Sequence, residues 1–224
     1  MQITAAVSRG NQPAPSLETL ELEAPRPGEM RVRIVAVGIC HTDLHEHPGR
    51  HAPHPIVLGH EGAGIVEALG EGVRGFAVGD HVLLSGSSCG VCPSCVAGRP
   101  TYCDLAMPMN FGGKRLDGST SLGCGEERIH SHFFGQSSFA TYSIVPERTA
   151  VKVDKDIPLE KLAPLGCGVI TGAGSVIEAL KVGAGDTIAI FGVGGVGLSA
   201  VMAAKLVGAK RIVAVDINQA RLDL

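Results

Sequence analysis

The sequence predicts an α/β chain in two parts, a β-rich part followed by the opening of a doubly wound parallel sheet. Three observations carry that prediction. Short apolar and polar alternations punctuated by turns fill the first half, four cysteines crowd one loop between Cys89 and Cys103, and after Gly185 the pattern becomes strand, glycine turn, helix, strand. With 224 residues, 45% hydrophobic and 18% charged, the chain can bury the core of one large or two ordinary domains. The expected domains are residues 1–168 and 169–224.

Met30, Val32, Ile34 and Ala36 alternate with Arg31 and Arg33, the period of a half-buried strand, and Cys40 lies just past its end. A loop rich in histidine follows, with His41, His45, His47, His51, His54 and His60 on it. Gly62 to Leu69 and His81 to Leu84 read as the next strands, separated by a turn at Gly79 and Asp80. Asp104 to Phe134 is irregular and rich in glycine, which predicts a long loop over a site. Alternation resumes over Phe139 to Val145, and Leu159 to Leu180 reads as helix in pieces, interrupted by glycines.

Beyond Gly185, Thr187 to Phe191 and Arg211 to Val215 are apolar strands flanking a helix, Val196 to Val207, with Gly208 as its C-cap. Continuous apolar strands belong to parallel sheets covered on both faces. Only eight residues follow Asp216, so the expectation is a piece of a longer protein.

Composition narrows the partners. The net charge of −3, the absence of tryptophan and the few aromatics leave neither a basic stripe nor a stacking platform for nucleic acid, so small molecules are expected instead. The N-terminal MQITAAVSRGNQ is too polar for an export signal. Thr187 to Ala204 carries no charge over a length that could nearly span a bilayer, but its four glycines, Gly192, Gly194, Gly195 and Gly197, read better as a turn between strand and helix. The expectation is a cytoplasmic chain with no membrane partner.

Cys89, Cys92, Cys95 and Cys103 follow the pattern C-x-x-C-x-x-C with the fourth cysteine after seven residues. Four thiolates on one loop suit a closed, tetrahedral, structural zinc site. Two disulfides or an iron–sulfur cluster are the alternatives; scattered remaining cysteines argue against the first, and the seven-residue gap before Asp104 against the second. Gly192-Val193-Gly194-Gly195-Val196-Gly197 is a G-x-G-x-x-G turn between strand and helix, with Asp216 nineteen residues further on. That context fits a dinucleotide pyrophosphate on the helix N-terminus and a ribose 2′-OH on Asp216, favouring NAD over NADP, against the alternative of a merely structural turn. Cys40, His60 and Cys167 each lie near a glycine at an element's edge and are candidate ligands of a catalytic zinc, which needs three protein ligands and one open position. Buried structural cysteines and a core histidine are the competing reading.

The ordered set G-I-C-H-T-D-L-H, G-H-E-G-A-G-I-V, the four-cysteine loop, L-G-C-G, the G-V-G-G-V-G turn and Asp216 resembles the zinc-dependent medium-chain alcohol dehydrogenases over residues 38–216. The stretch H-F-F-G-Q-S-S-F-A-T-Y and the N-terminal A-A-V-S-R-G look most like the NAD-dependent aryl (benzyl) alcohol dehydrogenases of that family. The resemblance implies a GroES-like catalytic domain followed by the start of a Rossmann domain, two zinc ions per chain, NAD, and a parent protein that is a homo-dimer or homo-tetramer. By position it implies Cys40, His60 and Cys167 as catalytic zinc ligands and Cys89, Cys92, Cys95 and Cys103 as structural ones. Glu61 matches an acidic residue behind the zinc, Asp43 the carboxylate orienting His60, and Thr42 and His45 a proton relay. His41 matches a pyrophosphate contact, and Gly192, Gly194, Gly195, Val196, Gly197 and Asp216 the nucleotide fingerprint. Cys124 has no counterpart, and Ser85 stands where many relatives keep an aromatic pocket wall, a role that falls to Phe134 instead. The implied reaction is oxidation of a primary, aromatic alcohol to its aldehyde. Oxidation of a glutathione adduct of formaldehyde, or a non-catalytic zinc-binding fragment, are the rival readings.

Overall fold

Alternating side chains that must hide one face each shape the first of two units, Met1–Gly166, in the computed structural model, which describes Met1–Leu224. Strands β1 (Gln2–Ser8), β2 (Ser16–Leu22), β3 (Glu29–Gly38), β4 (Ile56–Val57), β5 (Glu61–Leu69), β6 (His81–Leu84), β7 (Leu122–Cys124), β8 (Glu127–Ile129), β9 (Tyr142–Pro146) and β10 (Ala150–Val153) form two five-stranded sheets. Their orders are β4-β1-β2-β7-β8 and β10-β6-β5-β3-β9. In the first sheet Ile3, Ala5, Val7, Leu20 and Leu22 alternate inward and pack with Val57, Leu122 and Ile129. In the second, Met30, Val32, Val66, Val82, Leu84 and Val145 form an equivalent core.

One pairing in the second sheet positions the site. Strand β3 runs antiparallel to β5, with Gly38 opposite Glu61. Cys40, two residues past the end of β3, and His60, one residue before β5, therefore emerge at the same sheet edge. The chain leaves that edge through α1 (His41–Glu46), so the segment expected as a histidine-rich loop opens with a helix. The cysteine loop likewise holds a helical turn, α2 (Pro93–Val96), which Pro93 starts where its missing N–H costs nothing.

The stretch 104–134, expected as a loop, contains α3 (Ala106–Phe111), β7, β8 and a 3₁₀ turn at Phe133–Gly135. Strands of three residues are shorter than any window in which alternation can be read, so only the pairing of β7 with β2 and β8 reveals them. Helix α4 (Leu159–Leu162) and a 3₁₀ turn at Ala163–Gly166 end the unit; Leu159 and Ala163 pack on Ala63 and Leu83.

The second unit is Cys167–Leu224. Helix α5 (Gly168–Gly174) continues into a π turn, Ser175–Ala179. Then come β11 (Thr187–Phe191), α6 (Gly195–Leu206), β12 (Arg211–Val215) and α7 (Gln219–Leu222). β11 and β12 pair in parallel, and α6 lays Ala200, Ala203 and Ala204 over Ile188 and Ile190. Helix α6 ends as expected at Gly208, whose left-handed φ of 81° lets Ala209 N–H reach Ala204 O (3.0 Å). Only one face of this two-stranded sheet is covered: Ile188 and Ile190 are buried whereas Phe191 is 79% exposed. The uncharged run from Thr187 is thus strand, turn and helix, and no single helix of the chain is long and apolar enough to cross a membrane.

Candidate active site

Cys40 is the N-cap of α1, and Asp43, third in the helix, reaches back to accept from Cys40 N–H at 3.0 Å. The other oxygen of Asp43 accepts from Gly59 N–H and from His60 Nδ1, each at 3.0 Å. One buried carboxylate thereby ties Cys40, just past β3, to the two residues before β5. Because an ionised carboxylate only accepts, His60 donates through Nδ1 and carries its lone pair on Nε2, the arrangement of a metal-binding histidine. Gly59 takes a φ of 90°, and a Cβ there would lie 2.5 Å from Phe139 N, which explains the glycine before His60.

The thiol of Cys40, the ring of His60 and the carboxylate of Glu61 offer ligand atoms within 4.8 Å of one another. Glu61 fits only because residue 38 is glycine, since a Cβ there would stand 2.0 Å from its Oε2. Burial pushes the Cys40 thiol up, but the bonds from the Thr42 backbone and hydroxyl, with His60 beside it, outweigh that and lower it below the usual thiol range. Thr42 Oγ1 lies 3.7 Å from Cys40 Sγ. Cys167, the third expected ligand, is the first residue of the second unit. Gly166, to which it is bonded, is held to the end of β6 by Ser85 Oγ at 2.8 Å from its carbonyl. The residue family of a thiol, an imidazole and a carboxylate, with His60 orientation fixed from behind, fits zinc.

An aromatic group not foreseen as a unit closes round His60. Phe134 stacks on its ring with centroids 4.5 Å apart, Phe133 meets it edge-on at 5.6 Å, and Phe111 packs on both. Phe134 has a φ of 52°, rare for a bulky residue and costly, so surrounding structure must hold it there. Gln136 does part of this, donating to His60 O (2.9 Å) and accepting from Gly62 N–H (3.1 Å). The sequence signal was the pair Phe133-Phe134 before Gln136. His45 and Thr42 face a cavity of about 330 Å³ together with His41 and Phe111.

In the cysteine loop the four thiols of Cys89, Cys92, Cys95 and Cys103 lie within 4.8 Å of one another. All are free, and the 3.9 Å between Cys89 Sγ and Cys95 Sγ is far beyond a disulfide. It is close to the roughly 3.8 Å edge of a tetrahedron of sulfurs around zinc with bonds of about 2.3 Å. Backbone N–H groups of Val91 and Cys92 bring the Cys89 thiol down to about 6, whereas burial pushes Cys95 up to about 11. Four thiolates therefore require a cation among them, and the cluster fits a closed zinc site.

In the second unit, Gly192 has a φ of 85° and a Cβ on Gly197 would lie 1.9 Å from Gly192 O, so these glycines make the turn and the close approach of α6. Gly194 and Gly195, by contrast, have nothing within 4 Å of a built Cβ. They leave open the space at the N-terminus of α6 where a pyrophosphate fits. Val196 is exposed on the same first turn. Asp216 accepts from Val193 N–H and Asn218 N–H at 2.8 Å each, which holds its carboxyl below the usual range and aims it beside the turn.

Residues 26–155 match the alcohol dehydrogenase GroES-like domain family. The chain is 50% identical over 207 residues to a geraniol dehydrogenase of Castellaniella defragrans, covering 92% of this chain and 56% of that protein. Its structure superposes on an alcohol dehydrogenase zinc-binding domain protein from Burkholderia ambifaria with a TM-score of 0.97 and 50% identity, over 100% of this chain and 61% of that one. For benzyl alcohol dehydrogenase from Acinetobacter calcoaceticus the TM-score is 0.95 and the identity 46%, over 100% and 60%. The chain thus spans about three fifths of the length of these relatives. Together with two clusters whose donor sets suit zinc, this match makes the chain a member of the alcohol dehydrogenase GroES-like domain family, among the zinc-dependent medium-chain alcohol dehydrogenases.

Proposed function

We propose that the protein to which this chain belongs oxidises a primary alcohol with an aromatic or similarly flat apolar group to its aldehyde, using NAD. The observation that carries the reading is the junction at Asp43, which ties Cys40 to His60 so that their ligand atoms lie with that of Glu61 within 4.8 Å of one another. Cys167, directly after the tethered Gly166, is the remaining ligand that the family resemblance implies. Zinc held there supplies a Lewis acid that eases loss of the alcohol proton, and NAD supplies the hydride acceptor.

The chain's own residues do the rest. Thr42, beside Cys40, accepts the hydrogen bond of the alcohol hydroxyl, and His45 carries the proton on to water, its side chain being 38% exposed. Phe111 and Met107 give the cavity of Thr42 and His45 an apolar side that orients an aryl or allylic group and excludes water there. The geraniol and benzyl alcohol dehydrogenases above act, by their names, on alcohols of that kind. Open space at Gly194 and Gly195 admits the pyrophosphate, and Asp216 accepts from a ribose 2′-OH while repelling a 2′-phosphate.

Metal content tests the reading on this chain directly. Elemental mass spectrometry on reduced protein should find zinc and no iron, two per chain under metal-limited loading, with Cys95→Ala and Cys167→Ala each losing one. A single zinc lost only with Cys95 would remove the reaction centre from the proposal. Turnover of the full-length protein should favour benzyl alcohol and geraniol over ethanol; equal preference would remove the aromatic part.

A further inference from the structure

A third group of metal-ligand side chains lies outside both cysteine clusters, on α1 and the loop after it. Glu46 is 1% exposed. Its Oε2 accepts from the N–H groups of His51 (2.9 Å) and Ala52 (3.0 Å), which fixes the carboxylate. Its Oε1 accepts from Nδ1 of His51 (2.8 Å) and of His45 (3.2 Å). The two rings stack with centroids 5.9 Å apart, and one nitrogen from each lies with Oε1 inside a 4.8 Å cluster. Unlike Glu46, both rings reach solvent, His51 with 56% of its side chain exposed, at the rim of the cavity that holds Thr42.

We propose that His45, Glu46 and His51 form a binding site for a divalent transition ion of the zinc type. Two imidazoles and one carboxylate are a donor set that zinc prefers and that magnesium and calcium, which take oxygen ligands, do not. Three protein ligands with an open fourth side are also the composition of an accessible rather than a closed site. The present separations are those of hydrogen bonds. Binding an ion requires them to widen to the roughly 3.4 Å edge of a tetrahedron with bonds of about 2.0–2.1 Å, a shift of a few tenths of an ångström that the two solvent-exposed rings are free to make. Glu46 already carries its charge, for although burial pushes its carboxyl up, the bonds from His51, Ala52 N–H, His51 N–H and His45 hold it at about 2. An ion here would take the Nδ1 lone pair of each neutral imidazole, whose proton shifts to the solvent-facing Nε2, and would balance the charge of the buried anion in place. It would also occupy His45, so that excess zinc slows turnover; this consequence rests on the proton role proposed for His45, whereas binding does not.

The test is equilibrium dialysis of the chain against free zinc raised into the micromolar range, read by elemental mass spectrometry. Wild type should reach three zinc ions per chain, and His51→Ala and Glu46→Gln two. Saturation of wild type at two, or a third ion that survives His51→Ala, overturns the proposal. Circular dichroism and retention of the two tight ions show that each variant is folded; if Glu46→Gln is not, the exposed His51 decides alone. Loading with cobalt separates this result from failure of the cysteine sites. Those sites give thiolate-to-cobalt charge-transfer absorption, while the third ion should add only ligand-field bands; a third ion with thiolate charge transfer overturns the proposal.

Discussion

Replacing Asp43 with asparagine tests whether the site is organised by one carboxylate. Asp43 accepts three hydrogen bonds, from Cys40 N–H, Gly59 N–H and His60 Nδ1, and is 3% exposed. An asparagine has one acceptor oxygen and an NH₂ group. With its oxygen in the place of Oδ1 it keeps His60 and Gly59, and the NH₂ then faces Cys40 N–H, leaving one buried donor unpaired at about 1–3 kcal/mol. The opposite orientation orphans two donors and is disfavoured. His60 would still be aligned but would face a neutral partner, and loss of such a carboxylate behind a zinc-bound histidine lowers metal affinity about 10–100-fold, or ~1.4–2.7 kcal/mol. Competition with a chromophoric chelator measures both sites in one titration, because the four-cysteine site, remote in sequence, serves as the internal control. The expected result is one zinc weakened 10–100-fold and one unchanged, with thermal stability reduced. Unchanged affinity at both sites in a destabilised variant would show that Asp43 is only a structural tie. Equal weakening at both would mean general loosening of the unit and would refute the local argument.

Two alanine substitutions in the glycine turn should separate folding from cofactor binding. Gly197→Ala places a Cβ 1.9 Å from Gly192 O and should cost roughly 1–3 kcal/mol or more in thermal or denaturant unfolding of the second unit. Gly194→Ala meets nothing within 4 Å and has a φ of −72°, so stability should hold while calorimetry shows weaker NAD binding; unchanged affinity would refute the pyrophosphate placement. Acid should weaken the first unit through Glu29, where burial raises the carboxyl but His132, the Arg115 guanidinium and Arg26 N–H bring it to about 2. A depressed carboxyl stabilises above its unfolded value near 4.5 and loses that contribution as pH falls toward 2, here about 3 kcal/mol. Glu29→Gln should therefore flatten the stability profile between those limits, and an unchanged slope would refute it. Finally, Cys124 is exposed on β7 and belongs to neither cysteine cluster, so zinc-loaded chain should show one fast-alkylating thiol by mass spectrometry, and more after chelation. Protection of Cys124 would contradict its placement.

How much of this was legible in the chain depends on the distance over which each feature is decided. Strands β6, β11 and β12 were readable to the residue because their apolar content is local and contiguous. The strand–glycine–helix order around Gly192 was equally local, and a backbone turn restricts residue type at the position itself. Four cysteines within fifteen residues need no fold to bring them together. Cys40 and His60 are a different case, because nothing between them in sequence says that Gly38 pairs with Glu61; the family resemblance supplied what local pattern could not. β7 and β8 were missed because three residues make no period, and their stability comes from neighbours about a hundred residues away in the case of β2. Phe134 depends on a left-handed backbone that its own type disfavours, so propensity points away from the conformation that places its ring on His60. Glu46 was hidden for the complementary reason: an acidic residue on a short helix reads as a solvated face, and only the loop that folds His51 and Ala52 back onto it makes it a buried anion. The residues hardest to read are thus those whose environment contradicts their type. The strained Phe134 lies on the ring of His60 and the charged Glu46 lines the cavity that holds Thr42, and at both places local preference has yielded to the geometry of the site.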